Sequence, residues 1–230
     1  MARCQKTGTK QELLDAGMKI MQEKGYTNSG LQQVLDAVGV PKGSFYHYFD
    51  SKEDFALQII DHYDCTYTDD VMSCLQDQSY SPLQRLQNYC LAGRENIASG
   101  KCTRGCLIGN LSQEMASQSE ALRTKLDEVF IRWSQLFAVA IEEGQKSGEI
   151  DARFAPLELA ELFLSAWEGA LLRAKSTRST LPIDNFIKLL FVFMAGQNRP
   201  STIASEQSQH SPAVVAYDID QVLGRPLPRV

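Results

Sequence analysis

Residues 40–49, Val-Pro-Lys-Gly-Ser-Phe-Tyr-His-Tyr-Phe, constrain this chain more than any other stretch. Gly39 and Pro41 fence it on one side and Asp50-Ser51 on the other. What lies between is too short for an ordinary helix and too aromatic for a loop. At helical spacing Phe45 and Phe49 are i and i+4 and share a face, while Lys42, Ser44, Tyr46 and His47 spread over the others. A short helix that buries two phenylalanines and displays a cation, hydroxyls and an imidazole suits a polar, anionic partner.

The flanking segments say how such a rod is held. From Thr9, residues Leu13, Ala16, Gly17, Ile20 and Met21 recur at three and four. Thr9 followed by Glu12 reads as a capping box, and Gly25 after Lys24 as a C-cap. Ser29 is expected to cap a second helix that buries Leu31, Val34, Leu35 and Val38. Gly39-Val40-Pro41 is the turn, with Gly39 free to take positive φ. Ser51 with Asp54 opens a long fourth helix through Phe55, Ile59, Ile60 and Tyr63. Helix, tight turn and short helix is the order of a helix-turn-helix, and residues 42–48 are then its recognition helix, lying in a DNA major groove.

Net charge does not announce such a partner. The chain carries −5 at pH 7 and its pI is near 5.3. Residues 1–55 hold seven Lys/Arg and seven Asp/Glu, so the deficit lies wholly in the remainder. Arg3, Lys6 and Lys10 precede any acidic residue. An acidic body repels DNA, so only a specific face of the N-terminal part is expected to approach it.

Residues 9–63 resemble the DNA-binding domain of a TetR-family transcriptional regulator. The matching residues are Gly25-Tyr26, Leu31 to Val40, Lys42 to Phe49, and Ser51-Lys52-Glu53. Gly30 stands where the family commonly has Ser or Thr, and Tyr48 where it often has His. The resemblance implies an all-α protein with a three-helix DNA-binding domain over residues 1–52. A helical ligand-sensing and dimerisation domain would occupy 53–198. It also places the contacts. Lys42 reaches guanine or phosphate, Gly43 lets the backbone approach a base edge, and Ser44 serves either role. Tyr46 and His47 donate to phosphates, with Ser29 and Lys52 adding contacts from the second and fourth helices. Tyr48 is either a further phosphate donor or a core aromatic.

Behind this domain the chain reads as helix throughout. Ser81-Pro82, Ser119 and Pro156 open helices, Ser99-Gly100 and Ser147-Gly148 end them, and residues 105–115 form a short apolar one. The helix after Pro156 carries one wide apolar stripe dotted with alanines, Leu159, Phe163, Ala166, Trp167 and Ala170. The next is apolar on two sides, with Phe186, Leu190 and Phe193 on one and Leu189 and Val192 on another, to be covered within the monomer or by a partner. Such faces need cover on more than one side. In the family these helices pair with their twofold mates, which implies a homodimer and a palindromic operator. Residues 199–230, rich in Pro, Ser and Gln, read as a flexible tail in which Val214 to Tyr217 is a candidate docking segment.

No apolar run approaches bilayer length and no signal-peptide core follows Met1, so the expected compartment is the cytoplasm and the six cysteines are expected to be reduced. Two of them carry a chemical suggestion. Lys101-Cys102-Thr103-Arg104-Gly105-Cys106 sets two thiols among two cations at a helix start, a setting that lowers a thiol's pKa. This run, with Ala174-Lys175, resembles the branch of the family containing the NemR-like and AcuR-like repressors, which respond to reactive electrophiles, oxidants or small unsaturated acids. The resemblance implies Cys106 as a sensing thiol, with Cys102 and Lys175 as neighbours. The opposing reading is that Cys106 is a small core residue and Lys175 is solvated. Trp133 and Trp167, with Phe137, Phe163 and Met115, would line a cavity or fill an ordinary core; Arg132 or Arg173 would serve an anionic ligand. A Cys102/Cys106 metal site lacks further ligands, no cofactor motif is present, and no metal is expected. Two other classes compete with a repressor: an enzyme using Cys106 or His62, and a helical adaptor without DNA binding.

Overall fold

A computed structural model describes residues 8–195. The tail at 199–230, including Val214 to Tyr217, and the basic Arg3 and Lys6 lie outside the described residues. Nine helices occupy the described part: α1 (Thr9–Lys24), α2 (Leu31–Val38), α3 (Lys42–Tyr48), α4 (Lys52–Leu75), α5 (Pro82–Ser99), α6 (Leu107–Met115), α7 (Glu120–Lys146), α8 (Pro156–Thr177) and α9 (Leu181–Met194). The sole β pairing among these residues is an isolated bridge between Ile150 and Ala195. No described helix is long and apolar enough to cross a membrane.

The cap signals place most boundaries. Ser51 accepts from the Asp54 amide to open α4, and Ser119 from the Leu122 amide to open α7. Pro stands in the first turn of α5, α8 and α9, where the missing N–H has no partner to lose. Two caps fall elsewhere than the sequence suggests. Thr9 is already inside α1, whose N-cap is Gly8 with no side-chain bond. Gly30, not Ser29, caps α2. Gly39 takes the left-handed conformation (φ 75°, ψ 31°) that reverses the chain between α2 and α3.

The N-terminal helices close around an aromatic knot. Phe45 and Phe49 project inward from α3 and meet Phe55 of α4, with ring centroids 4.6–5.1 Å apart. All three are fully buried. Burying aromatics of this size contributes roughly 1.5–3 kcal/mol each, which holds a seven-residue helix that has little stability alone. In the body, α7 runs for 27 residues and packs against α4, α5, α6 and α8, while α8 and α9 form a hairpin that also touches α5. Trp133, Phe137 and Phe163 lie at its centre.

Candidate nucleic-acid interface and effector cavity

The outward face of α3 carries Lys42, Gly43, Tyr46 and His47, all exposed, above the buried Phe45 and Phe49. Tyr46 keeps 55% of its surface open, which is unusual for a tyrosine in a monomer and leaves its hydroxyl free to donate. The Lys42 ammonium lies 5.9 Å from the Tyr46 ring centroid. Ser44 is half-buried. Tyr48 is also half-buried, packed against the core and edge-on to His47 at 4.8 Å, so it is partly a packing residue.

Two residues expected at the phosphates are otherwise engaged. Ser29 is 2% exposed, and its hydroxyl donates to the Tyr26 carbonyl at 2.7 Å. It closes the α1–α2 turn from inside and cannot reach DNA. Lys52 donates to the same carbonyl at 2.6 Å and lies 4.5 Å from the Tyr26 ring centroid. Its ammonium is engaged within the domain by the Tyr26 and Thr27 carbonyls of the turn.

That turn is gripped from the body. Glu114 of α6 accepts from the Tyr26 amide and the Thr27 amide, each at 2.7 Å. Burial tends to raise its pKa, but the Thr27 and Tyr26 donors and the Lys52 charge outweigh that and hold it below the usual value. Arg104 pairs with Glu23 of α1 at 2.8 Å, and Ser119 donates to Glu53 of α4. No pattern in the sequence marks Glu114, which looks like any polar residue on a short helix.

The other end of α6 opens on a cavity of about 670 Å³ between α4, α5, α8 and the loop before α6. Tyr63, Tyr67, Tyr89, Cys106, Trp167 and Glu168 line it. Cys106 is the N-cap of α6 and is 7% exposed. Glu168 stands beside it on the cavity wall. Glu168 faces the cavity from α8, and its Oε2 would lie 2.2 Å from a Cβ at Gly109, so any larger residue there would push the carboxylate from its present position. Half-buried at the cavity wall, the Glu168 carboxyl is pushed up to about 7 by burial, and the Cys106 thiol beside it pulls it back part of the way. Burial likewise raises the Tyr63, Tyr67 and Tyr89 hydroxyls well above their usual range, so all three stay neutral donors; Tyr67 and Tyr89 bond each other.

The thiol's setting is not the cationic one that its neighbours in sequence suggest. Burial and then the Glu168 charge push Cys106 well above the ordinary thiol range, and the Gly109 and Ile108 amides pull down without winning. Lys101 is exposed and Arg104 is held by Glu23. Cys106 is therefore a neutral thiol at rest. Cys102, 5% exposed, does not line the cavity. With Lys101 it forms two consecutive non-glycine residues at positive φ (53° and 52°), a strain of about 1–2 kcal/mol each, and its carbonyl accepts from Arg178 at 3.3 Å. Lys175 also stands outside the cavity. Its Cδ would lie 4.0 Å from a Cβ on Gly105, and it faces a separate open cleft with Glu114 and Arg178.

Trp167 lines the cavity, whereas Trp133 is fully buried. Its indole N–H donates to Asp64 at 2.6 Å and its ring lies 3.9 Å from that of Tyr67. Asp64 also takes Arg132, so that arginine is committed. His62, 9% exposed, bonds Asp15 at 2.7 Å and ties α4 to α1. No group of three or more His, Cys, Asp or Glu among the described residues is placed to hold a metal. Sequence reasoning passed over Glu168 and the three tyrosines, although one signal was available. Glu168 falls four residues after Leu164 and three before Leu171, inside the apolar stripe of α8.

Comparisons with known proteins agree with this geometry. Residues 13–59 match the model for bacterial regulatory proteins of the tetR family, and residues 82–190 the tetracyclin repressor-like C-terminal domain. The HTH-type transcriptional repressor DhaR of Mycobacterium sp. (strain GP1) is 38% identical, over 81% of this chain and 92% of its own. The transcriptional regulator AcuR of Cereibacter sphaeroides is 40% identical, over 77% of this chain and 81% of its own. The crystal structure of the reduced form of Escherichia coli NemR superposes with a TM-score of 0.75 at 29% identity, covering 84% of this chain and all of that one.

Proposed function

Since this chain belongs to the TetR family of bacterial regulatory proteins, as a DNA-binding transcriptional repressor and not an enzyme, we propose that it acts as a homodimer in the cytoplasm. In this reading it sits on a palindromic operator and leaves when a small molecule or reactive electrophile enters the cavity at Cys106. The observation that carries the DNA reading is α3 itself. Its apolar side is consumed by Phe45 and Phe49, which leaves Lys42, Gly43, Tyr46 and His47 presented to solvent on a rigid base. Lys42 and Ser44 are positioned for base edges, Tyr46 and His47 for phosphates.

Support for the dimer comes from the far end. Leu162 of α8 and Leu189, Val192 and Phe193 of α9 are exposed by 45%, 65%, 74% and 47%. Apolar side chains clustered on two adjacent helices favour a second copy over water. Twofold pairing sets the two recognition helices about 34–36 Å apart, or a close multiple, to match successive major grooves.

Release needs only that the effector bind one conformation better than the other. α6 is the relay, with Cys106 and the cavity at its start and the Glu114 grip on the α1–α2 turn at its end. A shift or rotation of this helix would move the whole N-terminal domain, because the Tyr26 and Thr27 amides follow Glu114. The expected effector class is an electrophile able to alkylate or oxidise Cys106, which fits a thiol facing a cavity and a similarity to NemR, whose crystal structure is of the reduced form.

Gel shifts with DNA flanking the protein's own gene test the reading. A specific complex is expected that N-ethylmaleimide or hypochlorite dissolves, and that Cys106→Ser makes resistant. Equal release in Cys106→Ser removes the thiol from the mechanism; equal affinity for random and flanking duplex at physiological salt removes the repressor.

A further inference from the structure

We propose that Glu168 is the general base that activates Cys106 for addition to an α,β-unsaturated carbonyl, and that it returns the proton to the adduct. This rests on Cys106 being the reacting thiol of the cavity. Nucleophilic addition needs thiolate, and nothing around Cys106 supplies it in advance. The thiol is buried, Lys101 of its own loop is exposed, Arg104 borders the cavity but is paired with Glu23, and the charged group that acts on the thiol is the Glu168 carboxylate. A carboxylate beside a thiol disfavours a standing thiolate, yet it is well placed to take the proton as the bond forms.

The site is built for that contact. Glu168 and Cys106 converge on the space beside Gly109, whose missing Cβ leaves room for the Glu168 Oε2, and no cation among the described residues forms an ion pair with Glu168. Both groups face the same cavity, so an electrophile within it meets sulfur and carboxyl together. The other ionisable groups around them are Tyr63 and Tyr67 from α4, Tyr89 from α5 and, bordering the cavity, Asp70 and the Glu23-paired Arg104. Of the enclosed groups only Glu168 has its pKa near neutrality, at about 7. A base with that pKa is ionised in about half the molecules at pH 7 and is strong enough to assist.

The step balances without an oxidant. The Glu168 carboxylate takes the S–H proton, the sulfur lone pair forms the C–S bond to the β-carbon, and the C=C pair moves onto the carbonyl as an enolate. The enolate then takes the proton from the Glu168 carboxylic acid. S–H has been added across C=C, and the carboxylate is restored.

The test follows N-ethylmaleimide labelling of Cys106 in the full-length protein, quantified on the Cys106 peptide by mass spectrometry between pH 6 and 9. Wild type is expected to gain rate with a midpoint near pH 7, about tenfold slower at pH 6 than on the plateau. Glu168→Gln should label roughly 10–100-fold more slowly at pH 7.5 and lose that midpoint. The opposite result is what a merely electrostatic Glu168 predicts: removing the negative charge would favour thiolate, and labelling as fast as wild type or faster overturns the proposal. So does a wild-type profile that only begins to climb at pH 9. If Glu168→Gln does not fold, Glu168→Asp keeps the question open to measurement, since a carboxylate one methylene shorter should slow labelling yet retain a near-neutral midpoint. An unchanged rate there counts against the base. Operator release by Cys106→Ser is read separately, so failure of the sensing role and failure of the base are told apart.

Discussion

Glu114→Ala cuts the contact through which the body holds the DNA-binding helices. Two backbone N–H bonds to one carboxylate are lost, both at 2.7 Å. A hydrogen bond to a charged group contributes roughly 1.5–3 kcal/mol, and the exposed Thr27 amide recovers part of its share from water. The expected loss is therefore roughly 2–4 kcal/mol, or about 5–15 °C in Tm for a chain of this size. Glu114→Gln keeps an acceptor oxygen without the charge and should lose about half as much. The pH dependence follows from the sign of the shift. Glu114 is held below the 4.5 of an unpaired glutamate, so its stabilisation is present above that value and is lost as pH falls through the lower folded value. Urea unfolding of wild type and both variants at pH 7 and below pH 4 would measure this, beside effector-driven release in gel shifts at pH 7. The variants should converge with wild type at low pH, and Glu114→Ala should need more effector for release. A Tm within about 1 °C of wild type, or an equal deficit at both pH values, would refute the clamp. Wild-type release in Glu114→Ala would refute the relay through α6.

Val192→Glu with Leu189→Glu should convert the dimer to monomer in sedimentation velocity and abolish operator binding without lowering helix content; a dimer that survives both charges places the interface elsewhere. Lys42→Ala should weaken operator binding by about 1–3 kcal/mol if the side chain reads a base, with an unchanged salt slope. If it contacts phosphate, binding weakens across all sequences and the salt slope falls by about one. Phe45→Ala should instead lower stability by roughly 3–5 kcal/mol, which thermal melts would separate from a DNA-contact defect. Glu168 has a folded pKa raised to about 7, so the stability it contributes is full below its unfolded value of 4.5 and is lost as pH rises through 7. Glu168→Gln should therefore stabilise the protein at pH 8 by up to roughly 3 kcal/mol and not at pH 4, read by urea midpoints.

The helices were legible because their causes are local. Ser51 with Asp54, Ser119, the first-turn prolines and the spacing of apolar residues all act within one or two turns. They set the element order over the described residues and the split face of α3. The domain boundary near residue 52 is a different kind of statement, since α4 begins there and continues without a break from one part into the other.

Tertiary structure decided what each buried face meets. Ser29 and Lys52 have the chemistry of phosphate contacts, but both donate to the Tyr26 carbonyl. Trp133 has the spacing of a cavity wall, but Asp64, 69 residues away, draws its indole N–H inward. Cys106 sits among cations in sequence and beside a carboxylate in space. Periodicity tells which side of a helix is covered and is silent on what covers it. A thiol's acidity or a lysine's freedom depends on that covering group, which here arrives from dozens of residues away. The amino-acid order by itself determined a helical reader of DNA; the packing determined which thiol, acid and hydroxyls share the cavity behind it.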